Sequence, residues 1–276
     1  MRATWSNRQR ETSALVRTAR QCSARGDYRQ AEARLREALK LVHSSGDASV
    51  LSRPALWNEL GMVCKYLGKF DKAERYYRLA LRHTQKSVRS SRCEFFLANV
   101  FHNLGGVEHS RGRYSRAAKY ARKGLQLRLE CAASDSLPVA SDRAALAAIL
   151  HGLGNYKEAE THYRAALRVY RREYGASHPE IAVVLNNLGA FCQATRRMKR
   201  SEFYYRSALE MKRSELGYSH PDVAVTMNNL AMLYIAWGKS ELAQAFLQKA
   251  LQILKASLGA SHLSTRAVTA NGKRII

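Results

Sequence analysis

One spacing constrains this chain more than any other feature, and it is 42 residues. GASHPE at 175–180, GYSHPD at 217–222 and GASHLS at 259–264 set His178, His220 and His262 that far apart. A second marker is a turn glycine followed by an aromatic or apolar residue and an alanine. It recurs at Gly26, Gly68, Gly112, Gly154 and Gly238, with Arg196 standing where one more glycine belongs. Self-similarity at a fixed period of this size marks a solenoid, in which each unit buries its apolar face against its neighbours.

Each unit reads as two helices. In the second, Trp57, Leu60, Gly61 and Cys64 fall on one helical face. Gly68 suits the end of that helix, and Asp71 suits the N-cap of the next. Ala73, Tyr77 and Ala80 then form an inward stripe whose small members let the helices approach. The stripe returns as Ala31, Leu35 and Ala38; Ala159, Tyr163 and Ala166; Ser201, Tyr205 and Ala208; and Ala243, Leu247 and Ala250. The third unit is weaker, with Ala117, Ala121 and Gly124 and with Tyr120 displaced by one. Leu104, Leu146, Leu188 and Leu230 match Leu60, while Thr18 matches poorly, as suits a terminal unit. Cys22, Cys64 and Cys192 share one repeat position and read as small core residues. Five cysteines without a CxxC pair suit a reducing compartment.

The expected fold is therefore all-α, a solenoid of six antiparallel helix hairpins. They are placed at about 12–45, 54–90, 97–133, 140–175, 180–217 and 222–259. Asn271 aligns with Asn229 and Asn187, so 264–271 is expected as a short capping helix with a frayed tail beyond it.

The period, the His-Pro between units and Asn-Asn-Leu at 186–188 and 228–230 resemble the tetratricopeptide repeat family. The likeness is to the longer-helix repeats of kinesin light chains and many bacterial scaffold proteins, and it covers about residues 12 to 263. No heptad coiled coil precedes the repeats, so the chain is not read as a kinesin light chain itself. The resemblance implies a right-handed superhelix whose concave groove, lined by the first helices, holds an extended or helical peptide. It implies no cofactor.

On those first helices the face opposite the leucine stripe carries Asn103, Asn187 and Asn229, with Asn58, Asn186 and Asn228 on its flank. Met62, Tyr66 and Met232 lie along it, and Lys65, His109 and His151 border the other side. Amides offer both donor and acceptor to a peptide backbone, and methionine adapts to varied side chains. These twelve residues are the candidate peptide- or partner-binding set. The competing role for the asparagines is to cap or brace neighbouring helices. His109 and His151 occupy equivalent places in adjacent units, but no cysteine or acid joins them at ligand spacing, so no metal is expected. His178, His220 and His262 precede helix starts and read as structural.

Forty-six Lys and Arg stand against twenty-two Asp and Glu, a net charge of +24. That balance attracts acidic proteins, nucleic acid or anionic surfaces. Arg36, Arg78, Arg164 and Arg206 each follow a glutamate by four residues, the favourable helix pair, whereas Arg122 does not. The unpaired excess is expected elsewhere. Helix C-terminal ends carry Arg82, Lys86, Arg128, Arg172, Lys212 and Arg213, where cations complement the helix dipole. Two hairpin turns carry the rest: Arg111, Arg113 and Arg116 in one, and Arg196, Arg197, Lys199 and Arg200 in the other. The second turn is the densest and is the candidate anion or nucleic-acid patch.

The sequence holds no phosphate loop, GxSxG, HExxH or convergent carboxylate pair, so catalysis is not expected. No apolar run reaches the roughly 20 residues that span a bilayer. The N-terminus lacks a signal-peptide core; its Arg- and Ser/Thr-rich start also reads as an organellar presequence, but removing it cuts into the first repeat. The preferred location is cytoplasmic. The leading function is an interaction scaffold for a peptide or partner subunit, with an acidic partner favoured. The alternative is a nucleic-acid-associated protein using its basic turns.

Overall fold

The computed structural model describes residues 2–44, 52–85 and 90–273, with side chains from 8 to 43, 53 to 85 and 90 to 273. The expected end of the first hairpin at 45, Lys86 and the tail from 274 fall outside the described residues. All regular structure among them is helical, in two compact units that divide between Ser134 and Asp135. The first contains α1 (Arg2–Ala24), α2 (Tyr28–Ser44), α3 (Ser52–Tyr66), α4 (Phe70–Gln85), α5 (Ser91–Ser110) and α6 (Tyr114–Cys131). The second contains α7 (Leu137–Gly152), α8 (Tyr156–Tyr174), α9 (Pro179–Ala194), α10 (Met198–Leu216), α11 (Pro221–Ala236), α12 (Ser240–Leu258) and the short α13 (Leu263–Gly272). Within each unit, odd and even helices pack as hairpins, and each even helix packs on the odd helix that follows. α1 starts at Arg2, well ahead of Thr12.

The inward stripes form the core as the spacing implies. Ala73, Tyr77 and Ala80 are buried, as are their counterparts Ala159, Tyr163 and Ala166 and Ser201, Tyr205 and Ala208. Each large apolar side chain so buried contributes about 1.5–3 kcal/mol. Tyr77 and Tyr205 fit because a glycine faces each of them. A Cβ on Gly61 would stand 2.5 Å from the Tyr77 ring, and one on Gly189 would stand 2.6 Å from Tyr205. In the third hairpin the approach is backbone to backbone, since a Cβ on Gly124 would meet Ala98 O and His102 N at 3.2 Å. Tyr120 is therefore only half-buried and lies beside Phe101, with ring centroids 6.2 Å apart.

The hairpin turns close by one pattern. Lys69 N donates to Cys64 O at 2.8 Å and Gly68 N to Lys65 O at 3.0 Å, bonds that cap helix ends when the intervening residue is left-handed. Gly68 has φ 71°, and Gly26, Gly112, Gly154 and Gly238 lie between 72° and 79°. Asp71 is not the cap expected of it. It sits inside the first turn of α4, its carboxylate in solvent and held by Arg111 at 2.5 Å. Between hairpins the histidines act as caps. His178, His220 and His262 accept through Nδ1 from Glu180, Asp222 and Ser264 backbone N–H groups at 3.1–3.2 Å. Burial holds the His220 imidazole below its usual pKa, which keeps it neutral and able to accept.

All five cysteines are free thiols, and Cys22, Cys64 and Cys192 are buried. Burial pushes the Cys64 thiol up to about 11. Among the described residues no helix is long and apolar enough to cross a membrane.

Candidate functional site

The odd helices lie side by side within each unit, so their outer faces form one surface. On it the asparagines make rungs. Asn103 Nδ2 donates to Asn58 Oδ1 at 2.9 Å, Asn229 to Asn186 at 3.1 Å and Asn271 to Asn228 at 2.9 Å. Each rung joins the register position of Asn186 in one hairpin to that of Asn187 in the next. Five of the six predicted asparagines are thus engaged in bracing, each with part of its hydrogen-bonding capacity still open. The sixth differs. Asn187 requires an acceptor at position 144, and that residue is Ala144. Asn187 is half-buried and makes no side-chain hydrogen bond to the described residues. Small residues surround that place in the register: Ala148 on α7 and Ala190 on α9. Met232 on α11 and Met62 on α3 are half-buried on the faces of their own units.

In the first unit the surface is more basic. Arg20 pairs with Glu59 at 2.6 Å in place of an asparagine rung. Tyr66 stacks on Tyr28, with centroids 4.7 Å apart, and Lys65 extends across Gly106, where a Cβ would come within 3.2 Å of its Nζ. A cleft of about 800 Å³ lies between α1, the end of α2 and α3, floored by Val16, Val42 and Leu56 and edged by Arg8, Arg17 and Arg20. Arg8 and Arg17 form no ion pair with the described residues. Sequence reading missed this cleft because α1 matched the repeat poorly.

The predicted histidines sit against rings. His109 packs edge-on to Tyr114 at 5.5 Å, and His151 lies 5.8 Å from Tyr156 and 6.2 Å from Phe191. Burial lowers the His151 pKa. Among the described residues no three His, Cys, Asp or Glu gather as a metal-ligand set.

The glutamate–arginine pairs form as expected, with Arg36–Glu32, Arg78–Glu74, Arg164–Glu160 and Arg206–Glu202 between 2.6 and 3.0 Å. Several other cations are not the free excess expected of them. Arg128 is buried, donating to Phe95 O and to Asn99 Oδ1 at 2.6 Å. Lys212 is buried too and donates to Thr226 Oγ1 at 3.0 Å; burial lowers its pKa. Arg172 pairs with Asp135 and Arg213 with Glu210. Both buried cations share the repeat position of Val42 and Leu254, a register signal that could have found them.

The two basic turns also part company. Between α5 and α6, Arg111 is only 10% exposed and bonds Asp71, Glu74 and the buried Glu108. Arg116 lies 3.5 Å from Glu74 and 3.6 Å from Glu108, and Arg113 lies 3.8 Å from Glu108. Those three arginines are therefore not unpaired. Burial alone would raise the Glu74 pKa, but the Arg111 hydrogen bond and the charges of Arg78, Arg111 and Arg116 hold it low. Between α9 and α10, Arg196, Arg197, Lys199 and Arg200 are all exposed, and none forms an ion pair with the described residues. Arg197 lies over the Phe191 ring, 5.5 Å from its centroid.

Stacked helix hairpins with an amide-lined outer surface define a class: repeat solenoids that present an extended surface. The chain belongs to the tetratricopeptide repeat family, whose profiles match residues 12–37, 52–130, 140–214 and 180–256. No curated protein sequence matches it. Among solved structures it is similar to BtubC (BKLC) from P. vanneervenii at 23% identity, with a TM-score of 0.57 over 91% of this chain and 92% of that one. It is similar to NprR in complex with its cognate peptide NprX at 14% identity, with a TM-score of 0.67 over 96% and 78%. A Rap protein complexed with competence and sporulation factor gives 14% and 0.65 over 96% and 87%. At these identities the likeness is one of fold.

Proposed function

We propose that this chain is a protein-interaction scaffold, not a catalyst, that holds a peptide or partner subunit along the outer surface of its odd helices. The observation that carries the reading is Asn187. Its amide atoms stay open to solvent and make no bond within the described residues, so both donor and acceptor are available to a peptide backbone. Ala148 and Ala190 leave room beside it. The NprR and Rap relatives of fold were each solved with a bound peptide or factor, which supports the same use here. An acidic partner is favoured by the net charge and by Arg8 and Arg17 at the α1–α3 cleft. The free thiols suit a reducing compartment such as the cytoplasm.

The test is a peptide-display selection on the full chain, with Kd measured for the recovered sequences. Asn187→Ala breaks no rung, so stability should stay unchanged while binding weakens by about 1 kcal/mol, the worth of one hydrogen bond. Recovered peptides that bind Asn187→Ala as tightly as the unaltered chain count against this surface.

A further inference from the structure

We infer that the α9–α10 turn is a docking site for single-stranded nucleic acid, separate from the peptide surface. The turn departs from its equivalents in three ways at once. First, Arg196 has φ 58°, the one non-glycine residue with positive φ among those described, where the other five turns use glycine. Its turn still closes in the common way, with Arg197 N donating to Cys192 O at 2.7 Å and Arg196 N to Gln193 O at 3.0 Å. The local structure gains nothing from the arginine side chain, which points to a use outside the fold.

Second, the four cations are clustered without acids. Of the three acids that hold Arg111, two have no counterpart here: Lys157 and Cys192 stand where Asp71 and Glu108 do, and Glu160, the counterpart of Glu74, is paired with Arg164. Third, the cluster is interleaved with exposed rings. Phe203 lies three and four residues after Arg200 and Lys199, on their face of α10, and is 66% exposed. At the other edge, exposed Tyr156 contacts Phe191 at 6.1 Å, the ring beneath Arg197. Cations that track phosphates beside rings that stack bases are how proteins hold a single strand without reading its sequence. An acidic protein segment would need the cations but not the rings.

The experiment measures binding of a fluorescein-labelled oligothymidylate to the full chain from 50 to 200 mM salt. Four phosphate contacts on a single strand should give a log–log slope of about −3, a loss on the order of 50-fold across that range. The variant Arg196→Gln, Arg197→Gln, Lys199→Gln, Arg200→Gln should bind far more weakly and lose most of that slope. Phe203→Ala should weaken binding by roughly 5- to 150-fold and leave the slope intact. A charge-matched control, Gln at the glutamate-paired Arg36, Arg78, Arg164 and Arg206, should bind nearly as the unaltered chain does. Circular dichroism confirms that each variant is folded. Equal losses in the two charge variants would reduce the effect to general basicity and overturn the site. So would a silent Phe203→Ala with a poly-glutamate peptide competing as well as the oligonucleotide, which would assign the turn to an acidic protein.

Discussion

The α5–α6 turn and the α9–α10 turn carry similar sequence, RGRYSR against RRMKR, and opposite electrostatics. In the first, three arginines converge on Asp71, Glu74 and Glu108, so positive charge is consumed inside the fold. In the second, four cations face solvent and the backbone accepts a left-handed arginine. A count of basic residues cannot tell these turns apart. What separates them is whether the turn's own first helix supplies a buried acid, Glu108 against Cys192, and whether a glycine has been kept.

The comparison breaks most readily at Glu108. Its side chain is 1% exposed and faces all three arginines, so Glu108→Ala takes from the buried Arg111 one of its three acids. Urea denaturation should show a loss of about 3 kcal/mol, the low end for opening a buried pair because Arg111 keeps two other acids. A loss below about 1 kcal/mol would mean that the turn is wet and the contrast with α9–α10 overstated.

Exchanging the two backbone residues sharpens the same contrast. Gly112→Arg should destabilise by about 1–2 kcal/mol, the cost of a left-handed side-chain residue. Arg196→Gly should stabilise by about 0.5–1 kcal/mol, since glycine's greater unfolded freedom offsets part of the relief. Opposite signs in thermal or urea melts support the reading; equal signs refute it.

The smallest effect is one of pH. The folded Glu74 pKa lies below the ordinary carboxylate value near 4.5. Its contribution is therefore fully present above that value and is lost as pH falls through the lower folded value. Glu74→Gln should flatten that part of the acid limb of stability, while glutamine substitutions in the α9–α10 turn should leave it unchanged. An unaltered limb in Glu74→Gln would show that the arginines do not hold this carboxylate.

Most of the architecture was legible because it repeats. The apolar stripes, turn glycines and histidine caps each return at fixed register, so a misreading would have to recur with every return. The four glutamate–arginine pairs were legible because their partners lie one helical turn apart. Contacts between hairpins were harder. Arg111 finds Glu74 across 37 residues, and only the same spacing between Lys69 and Glu32 hints at it. The rungs were visible as asparagines, but the choice between bracing and binding depended on which position faced which. Asn187 became distinct only because the rungs assign its partner position to Ala144. The cleft beside α1 was hidden because that helix follows the repeat so loosely.

Arg196 also has a consequence in the genetic code. Every arginine codon lies a single base change from a glycine codon, and glycine is the residue that this backbone conformation favours. The more stable variant is therefore among the nearest neighbours of the present gene. In a pool of random point variants sorted for thermal resistance alone, glycine at 196 should rise early. Sorted for nucleic-acid retention, the same pool should keep arginine, so the two selections pull one codon in opposite directions.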